Sequence, residues 1–286
     1  MTGIDPLTGL PALTLSNAEF AALARALGEP APDRIAGATT DRPRDVEARL
    51  LERGVVVSGT APRVAVTAAR LVRIVCRPFI RTRIRLIAPG RPPVAVHVAS
   101  VPEASIGCVE DGTTVHYVPF GTEQLIDYLA LAAELTEPAG TGPPGAEVPI
   151  ALPVLRAAVQ DGRSGAADRL RAAGLTPTDA AGLGAALSSG SWGSLSVRYR
   201  AGAGRVSGGE IAWAGERSGR WQVPAALFPA ALLPPAEPAE TAAPRDAGGD
   251  LTVTVQPVTA AGLLAEAVSV LPGPGPGCDE ATGSGG

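Results

Sequence analysis

The chain has 286 residues, 45% hydrophobic and 18% charged, a balance that excludes global disorder and lets roughly three-quarters of the unfolded surface be buried without a metal or disulfide. Its formal net charge is −4 and all 24 basic residues are arginine; with no basic block, the positive footprint of a nucleic-acid binder is missing. Aromatics make up only 3%, so the core must be built mainly from Ala, Val, Leu and Ile.

The first predicted helix follows Ser16-Asn-Ala-Glu19, a capping-box pattern, and carries Phe20, Leu23, Ala24 and Leu27 at helical spacing up to Gly28. The stretch before it reads as a loop. A second helix is expected from about Arg42 to Arg53, with Pro43 in its first turn and Gly54 beyond its end. A third is expected from near Pro62, carrying Val64, Ala68, Leu71, Val72 and Val75 until Pro78 stops it.

The period then changes. Ile80, Thr82, Ile84 and Leu86 alternate with Arg81, Arg83 and Arg85, the mark of a half-buried strand. The short Pro89-Gly-Arg-Pro-Pro93 connection leads to a return strand over 94–101. Asp111-Gly112 turns a third strand (105–109) into a fourth (113–118). Pro119 and Gly121 are expected to break it, and an amphipathic helix runs from Thr122 to Leu135.

The second half follows the same plan. Helices are predicted at 152–161, 165–173 and 177–187, then strands at 194–201, 208–214 and 219–223. A strand at 251–256 leads into a helix over 259–271. Val115-His-Tyr-Val-Pro119-Phe with Leu125-Ile126 matches Val253-Thr-Val-Gln-Pro257-Val with Leu263-Leu264, and Arg83-Ile-Arg85 echoes Arg198-Tyr-Arg200. The expectation is an α+β protein with a central, mainly antiparallel sheet made by two halves. Residues 1–138 form the first half-repeat, 139–149 a linker, and 150–271 the second half-repeat. A Pro/Ala-rich insertion at 224–249 is expected to hold no regular structure, and the tail at 272–286 is expected to be disordered.

Chemistry is sparse. Cys76, Cys108 and Cys278 lie far apart, without a C-x-x-C pair or a nearby His, which argues against structural zinc and for reduced thiols in an intracellular protein. The first residues lack the pattern of a signal peptide. The longest apolar stretch, 223–233, is interrupted by Pro224 and Pro229 and cannot span a bilayer, so a cytoplasmic protein without membrane insertion is expected. Gly190-Ser-Trp-Gly193-Ser has the letters of a nucleophile elbow in the wrong order. Gly182-x-Gly184 lacks the third glycine of a dinucleotide site and lies inside a predicted helix. His97 and His116 fall on strands with no acidic neighbour at strand spacing. No enzyme activity, cofactor or metal is expected. The Arg81, Arg83, Arg85 stripe reads either as a solvated sheet face or as a face for an acidic partner. Trp192, Trp213 and Trp221 read as buried aromatics or as interface anchors.

Several stretches resemble the EspG family, the secretion-associated proteins of actinobacterial ESX (type VII) systems. They are Leu15-Ser-Asn-Ala-Glu-Phe20 with Leu27-Gly28; Leu51-x-x-Gly54-Val; Leu71 through Pro78 into Arg83-Ile-Arg85; Val115 through Leu129; Asp168-x-Leu170-x-x-Ala-Gly174; and Gly209-Glu-Ile-Ala-Trp213 with Ser218-Gly-Arg220-Trp-Gln-Val. The resemblance spans residues 13 to 271. It implies a central antiparallel sheet flanked by helical bundles with quasi-twofold internal duplication. It also implies a cytoplasmic chaperone that binds the tip of a secreted PE–PPE heterodimer, shielding an apolar end before export. A long loop between two first-half strands helps grip the substrate in the family; here the corresponding turn, Ala88 to Pro93, is short. The acidic step before the Gly-Arg element is replaced by Ala214-Gly-Glu216-Arg217.

The partner is expected on the sheet and its hairpins, at Arg91 and Pro92 in the 88–93 turn and at Trp213, Arg217 and Trp221 in the second-half hairpin. The alternative is that both tryptophans fill the core. Two other functions stay open: a structural or adaptor subunit, and a hydrolase with His97 or His116 in a cleft within reach of an Asp, Glu or Ser. No feature fixes an oligomeric state.

Overall fold

Alternation along Ile80–Ile87 makes one face of that strand apolar and the other basic, and the architecture follows from where those two faces go. The computed structural model describes residues 2–4, 9–32, 35, 41–57, 63–112, 114–136, 146–201, 205–217, 219–229 and 251–272. The first half contains β1 (Thr2–Ile4), β2 (Pro11–Ser16), α1 (Asn17–Ala26), α2 (Pro43–Glu52), β3 (Val56–Val57), β4 (Arg63–Val64) and α3 (Val66–Cys76). It continues with β5 (Ile80–Ile87), β6 (Val94–Val101), β7 (Ala104–Asp111), β8 (Thr114–Phe120), a 3-10 turn at Thr122–Gln124 and α4 (Leu125–Ala132). The second half contains β9 (Val148–Ala151), α5 (Leu152–Gln160), α6 (Gly162–Ala172), α7 (Pro177–Ser188), β10 (Trp192–Arg200) and β11 (Val206–Ala214). It ends with β12 (Trp221–Val223), a 3-10 turn at Ala225–Leu227, β13 (Thr252–Pro257) and α8 (Ala260–Ser269).

The fold is α+β. Among the described residues, eleven strands form one sheet in the order β1-β2-β8-β7-β6-β5-β10-β11-β12-β13-β9, and β3 and β4 form a separate small hairpin. Every pairing is antiparallel. The halves meet where β5 pairs β10, in register from Ile80↔Tyr199 to Ile87↔Trp192.

Side chains alternate across this sheet with period two. On one face Ile84, Val96, Val98, Val109 and Val118 join Leu195, Val197, Ile211 and Trp213 in a single core capped by Leu129 of α4 and Leu263 of α8. The other face is divided. Phe20, Leu71, Val72 and Tyr117 belong to a cluster made with α1, α2 and α3; Leu155, Leu170, Leu183, Trp221 and Val255 belong to one made with α5, α6 and α7. Helix entry follows the predicted chemistry. The Ser16 hydroxyl accepts from the Glu19 amide at 3.2 Å, and the Glu19 carboxylate accepts from the Ser16 amide at 2.8 Å. That buried carboxylate also takes Arg53 Nη1 at 3.0 Å and Arg49 Nε at 3.5 Å, tying α1 to α2.

Some elements differ from the sequence reading. The presumed loop before Ser16 is β2, which pairs β8 from Leu13↔Tyr117 to Ser16↔Thr114. The third helix starts at Val66 rather than near Pro62, because Arg63 and Val64 pair with Val57 and Val56. Pro119 does not end β8: it stays opposite Ile106, and β2 stops pairing at Tyr117. The strand is locally an edge there, where a missing N–H costs little. The last two positions of the expected linker open β9, which pairs β13. The expected insertion opens with regular structure after all: Ala225–Leu227 is a 3-10 turn, closed by the Leu227 and Phe228 amides donating to the Pro224 and Ala225 carbonyls, because Leu227 and Phe228 are buried in the core. The rest of that linker up to 145, insertion residues 230–249 and tail residues 273–286 lie outside the described residues.

The seam also depends on a glycine. Gly193 faces Trp213 across β10 and β11, and a Cβ there would sit 2.1 Å from indole ring atoms. Gly193→Ala must displace a buried ring, and the expected loss is about 2 kcal/mol. Urea unfolding followed by tryptophan fluorescence measures it; an unchanged midpoint would mean that the ring does not cover this glycine.

Candidate functional site

Register places three connections at one end of the sheet. Ile87 pairs Trp192, Trp192 pairs Ala214, and Ala214 pairs Trp221. The turn after β5 (88–93), the entry to β10 (Gly190 and Ser191) and the turn between β11 and β12 (215–220) therefore lie side by side.

Each connection is stiff for a local reason. In the first, Pro89 precedes Gly90, whose φ is +72°, and the Arg91 amide donates to the Ala88 carbonyl at 3.3 Å; that is the pattern of a type II turn. Pro92 and Pro93 fix the next two φ angles. Gly190, with φ +73°, lies against Pro89, whose Cγ would be 3.2 Å from an added Cβ. Gly215 donates to the Ser191 carbonyl at 2.9 Å, and the Gly219 amide donates to the Glu216 carbonyl at 3.0 Å.

Glu134 joins two of these turns. It follows α4 with φ +54°, in a Schellman closure where Glu134 N–H donates to Leu131 and Leu135 N–H donates to Ala130. Arg91 Nη1 and Nη2 donate to its two carboxylate oxygens at 2.9 and 3.3 Å. This carboxylate raises the Arg91 guanidinium further above its ordinary value, first by the hydrogen bond and then by charge. Arg220, only 6% exposed, donates from Nη2 to the Glu134 carbonyl at 3.1 Å. Left-handed backbone costs a non-glycine residue about 1–2 kcal/mol, whereas an exposed ion pair returns about 0–1 kcal/mol. The contact therefore orders this corner without adding net stability.

The sequence-derived candidates divide. Arg91, Pro92 and Arg217 are exposed at this sheet end. Trp213 is 4% exposed and Trp221 5%, and they fill clusters on opposite faces of the sheet. Both tryptophans are core residues rather than surface ones, as the core alternative expected: Trp213 packs over Gly193 and Trp221 against Gly182 of α7. Glu134 was missed. Its one sequence signal is a glutamate just past a helix end, where α1, α2 and α6 have Gly28, Gly54 and Gly174.

The arginine stripe lies on the divided face, between the two helical clusters. Arg85 is built into the structure: Nε donates to the Ser194 hydroxyl at 2.9 Å, Nη2 pairs with Glu210, and the guanidinium stacks 4.5 Å from the Phe228 ring centroid. His116 has an acidic neighbour after all. Its Nε2 is 3.8 Å from Asp111 at the mouth of the β7–β8 hairpin, and Nδ1 is 3.2 Å from the Thr14 hydroxyl. The hairpin brings Asp111 back across strand ends, a diagonal that alternation along one strand does not show. Among the described residues there is no group of three metal-ligating side chains and no helix long and apolar enough to cross a membrane.

Burial, followed by Glu29, pushes the Cys76 thiol up to about 11 against the opposing effects of Arg81 and Arg77. At pH 8 about one thiol in a thousand is then ionised. The folded state holds the neutral thiol, so this stabilisation is full below the ordinary value of 9.0 and is lost as pH rises towards 11. Iodoacetamide at pH 8 should leave Cys76 unmodified in the native protein and label it in urea. Peptide mass mapping checks this; equal labelling in both states would contradict the burial.

Comparison with known proteins agrees with this architecture. A sequence model described as the EspG family matches residues 16–243. A solved structure, "Structure of the Mycobacterium tuberculosis type VII secretion system chaperone EspG5 in complex with PE25-PPE41 dimer", is similar in fold with a TM-score of 0.59 at 16% identity, covering 91% of this chain and 97% of that one. No curated protein matches the sequence.

Proposed function

The chain belongs to the EspG family, and from that premise we propose that it is a cytoplasmic chaperone of type VII (ESX) secretion. It binds the tip of a secreted PE–PPE heterodimer and keeps it soluble for export. The family match across residues 16–243 carries the reading. The likeness in fold to EspG5, solved with the PE25–PPE41 dimer, supports it. The role is one of binding and needs no catalytic group or cofactor.

The proposed docking surface is the sheet end that carries the 88–93 and 215–220 turns. Arg91, Pro92 and Arg217 form its exposed rim, and Trp213 and Trp221 are buried in the strands that lead to it. A chaperone must hold an apolar tip reversibly in water. Stiff turns have little freedom left to lose on binding, while rim arginines steer and orient the partner.

The two halves are read as a quasi-twofold duplication with flanking helical bundles. Strand order supports this: outward from the seam, β5-β6-β7-β8-β2 corresponds to β10-β11-β12-β13-β9. The matched segments Val115–Phe120 and Val253–Pro257 fall on β8 and β13, and the helix after each, α4 or α8, caps the same core.

Size-exclusion chromatography with a purified PE–PPE heterodimer of the source organism should give an equimolar ternary complex. Arg217→Glu should weaken that complex about tenfold, mainly through slower association, with the circular dichroism spectrum unchanged. No complex with the heterodimer would refute the function. An unchanged affinity in Arg217→Glu would move the docking surface elsewhere.

A further inference from the structure

Three helices close alike: Gly28, Gly54 and Gly174 hold the left-handed position after α1, α2 and α6, each with the paired back-bonds of a Schellman motif. The fourth such closure, after α4, carries Glu134, and among the described residues it is the one non-glycine with positive φ. Glycine would form the same closure with less strain. The Glu134 carbonyl, which receives Arg220, would remain in place with glycine. What the glutamate adds is its carboxylate, and both oxygens are spent on Arg91.

From this geometry we infer that Glu134 is a positioning residue, which holds the Arg91 turn beside the 215–220 turn so that the two present one pre-formed docking edge. The inference rests on the reading that this sheet end receives the PE–PPE heterodimer. Strain kept at one position without a return in overall stability is a mark of a functional constraint. The carboxylate clamps the guanidinium through both terminal nitrogens, fixing its plane as well as its place. The guanidinium has five N–H donors, so some are left to face a partner. Arg91 is thus aimed before the partner arrives, and the ordering cost is removed from the binding step.

Glu134→Gly separates the carboxylate from everything else at this corner, because the helix closure and the Arg220 contact survive it. The melting temperature should stay level or rise. In the free protein, amide hydrogen exchange at Arg91, whose N–H is bonded to the Ala88 carbonyl, should speed up about tenfold as the local turn loosens. Affinity for the purified PE–PPE heterodimer should fall about fivefold. Arg91→Ala, which removes the clamp and the partner-facing donors together, should lose at least as much, and the double variant should lose no more than Arg91→Ala alone, because without the guanidinium the carboxylate has nothing to position. Glu134→Gln, which keeps the shape but not the charge, should lie between wild type and Glu134→Gly.

Unchanged exchange in Glu134→Gly would overturn the positioning role. Faster exchange with unchanged affinity would overturn its link to docking. Additive losses in the double variant would do the same. If wild type does not bind the heterodimer, the functional reading beneath the inference fails; the exchange measurement needs no partner and tells that failure apart from loss of the clamp.

Discussion

The pairing of β5 with β10 is the constraint on which the rest depends. It joins two sets of strands into one sheet with a continuous register from Ile80↔Tyr199 to Ile87↔Trp192. Because alternation carries across the seam, Ile84 and Leu195 point into the same core, which α4 and α8 cover from opposite halves. Neither half could bury these residues alone, and each would expose a long unpaired edge. On the other face the same alternation turns Arg81, Arg83 and Arg85 away from that core, and the helical packing there is divided into two clusters.

The seam also creates the candidate site. In an antiparallel pair the end of one strand meets the start of the other. The exit of β5 at Ile87 therefore lies beside the entry of β10 at Trp192, and β11 and β12 extend the line to Ala214 and Trp221. Turns far apart in sequence become neighbours without any long loop. The short Pro-rich turn after β5 is then held by the seat at Gly190 and by the clamp from Glu134. Rigidity at this edge is built from turn geometry and one side-chain ion pair, not from a large core.

Much of this was legible in the residues. The Ser16–Glu19 capping box, the basic and apolar alternation from Ile80 and the Asp111-Gly112 hairpin each carry their own local physics. So did the order of elements in the two halves. The short strands β2 and β9 were not legible. Both contain a proline, and they exist because β8 and β13 offer an edge to pair with; strand preference of that kind is tertiary. The site was half legible. Proline and glycine marked the turns, and the exposed arginines were named from sequence. A strand tryptophan reads equally well as core or surface until register assigns its face, and Trp213 and Trp221 proved buried. Glu134 could be recognised only once the end of α4 was known to the residue.

The docking we propose has a PE–PPE heterodimer received by a stiff sheet end that the seam sets in place. Hydrogen exchange of the protein with and without the purified heterodimer tests it most directly, because protection maps the footprint on the folded chain. Protection should concentrate in segments 88–93 and 215–220, with the arginine stripe of β5 and the outer surface of α5 to α7 unchanged. Protection confined to those other surfaces, with both turns exchanging as in the free protein, would contradict it.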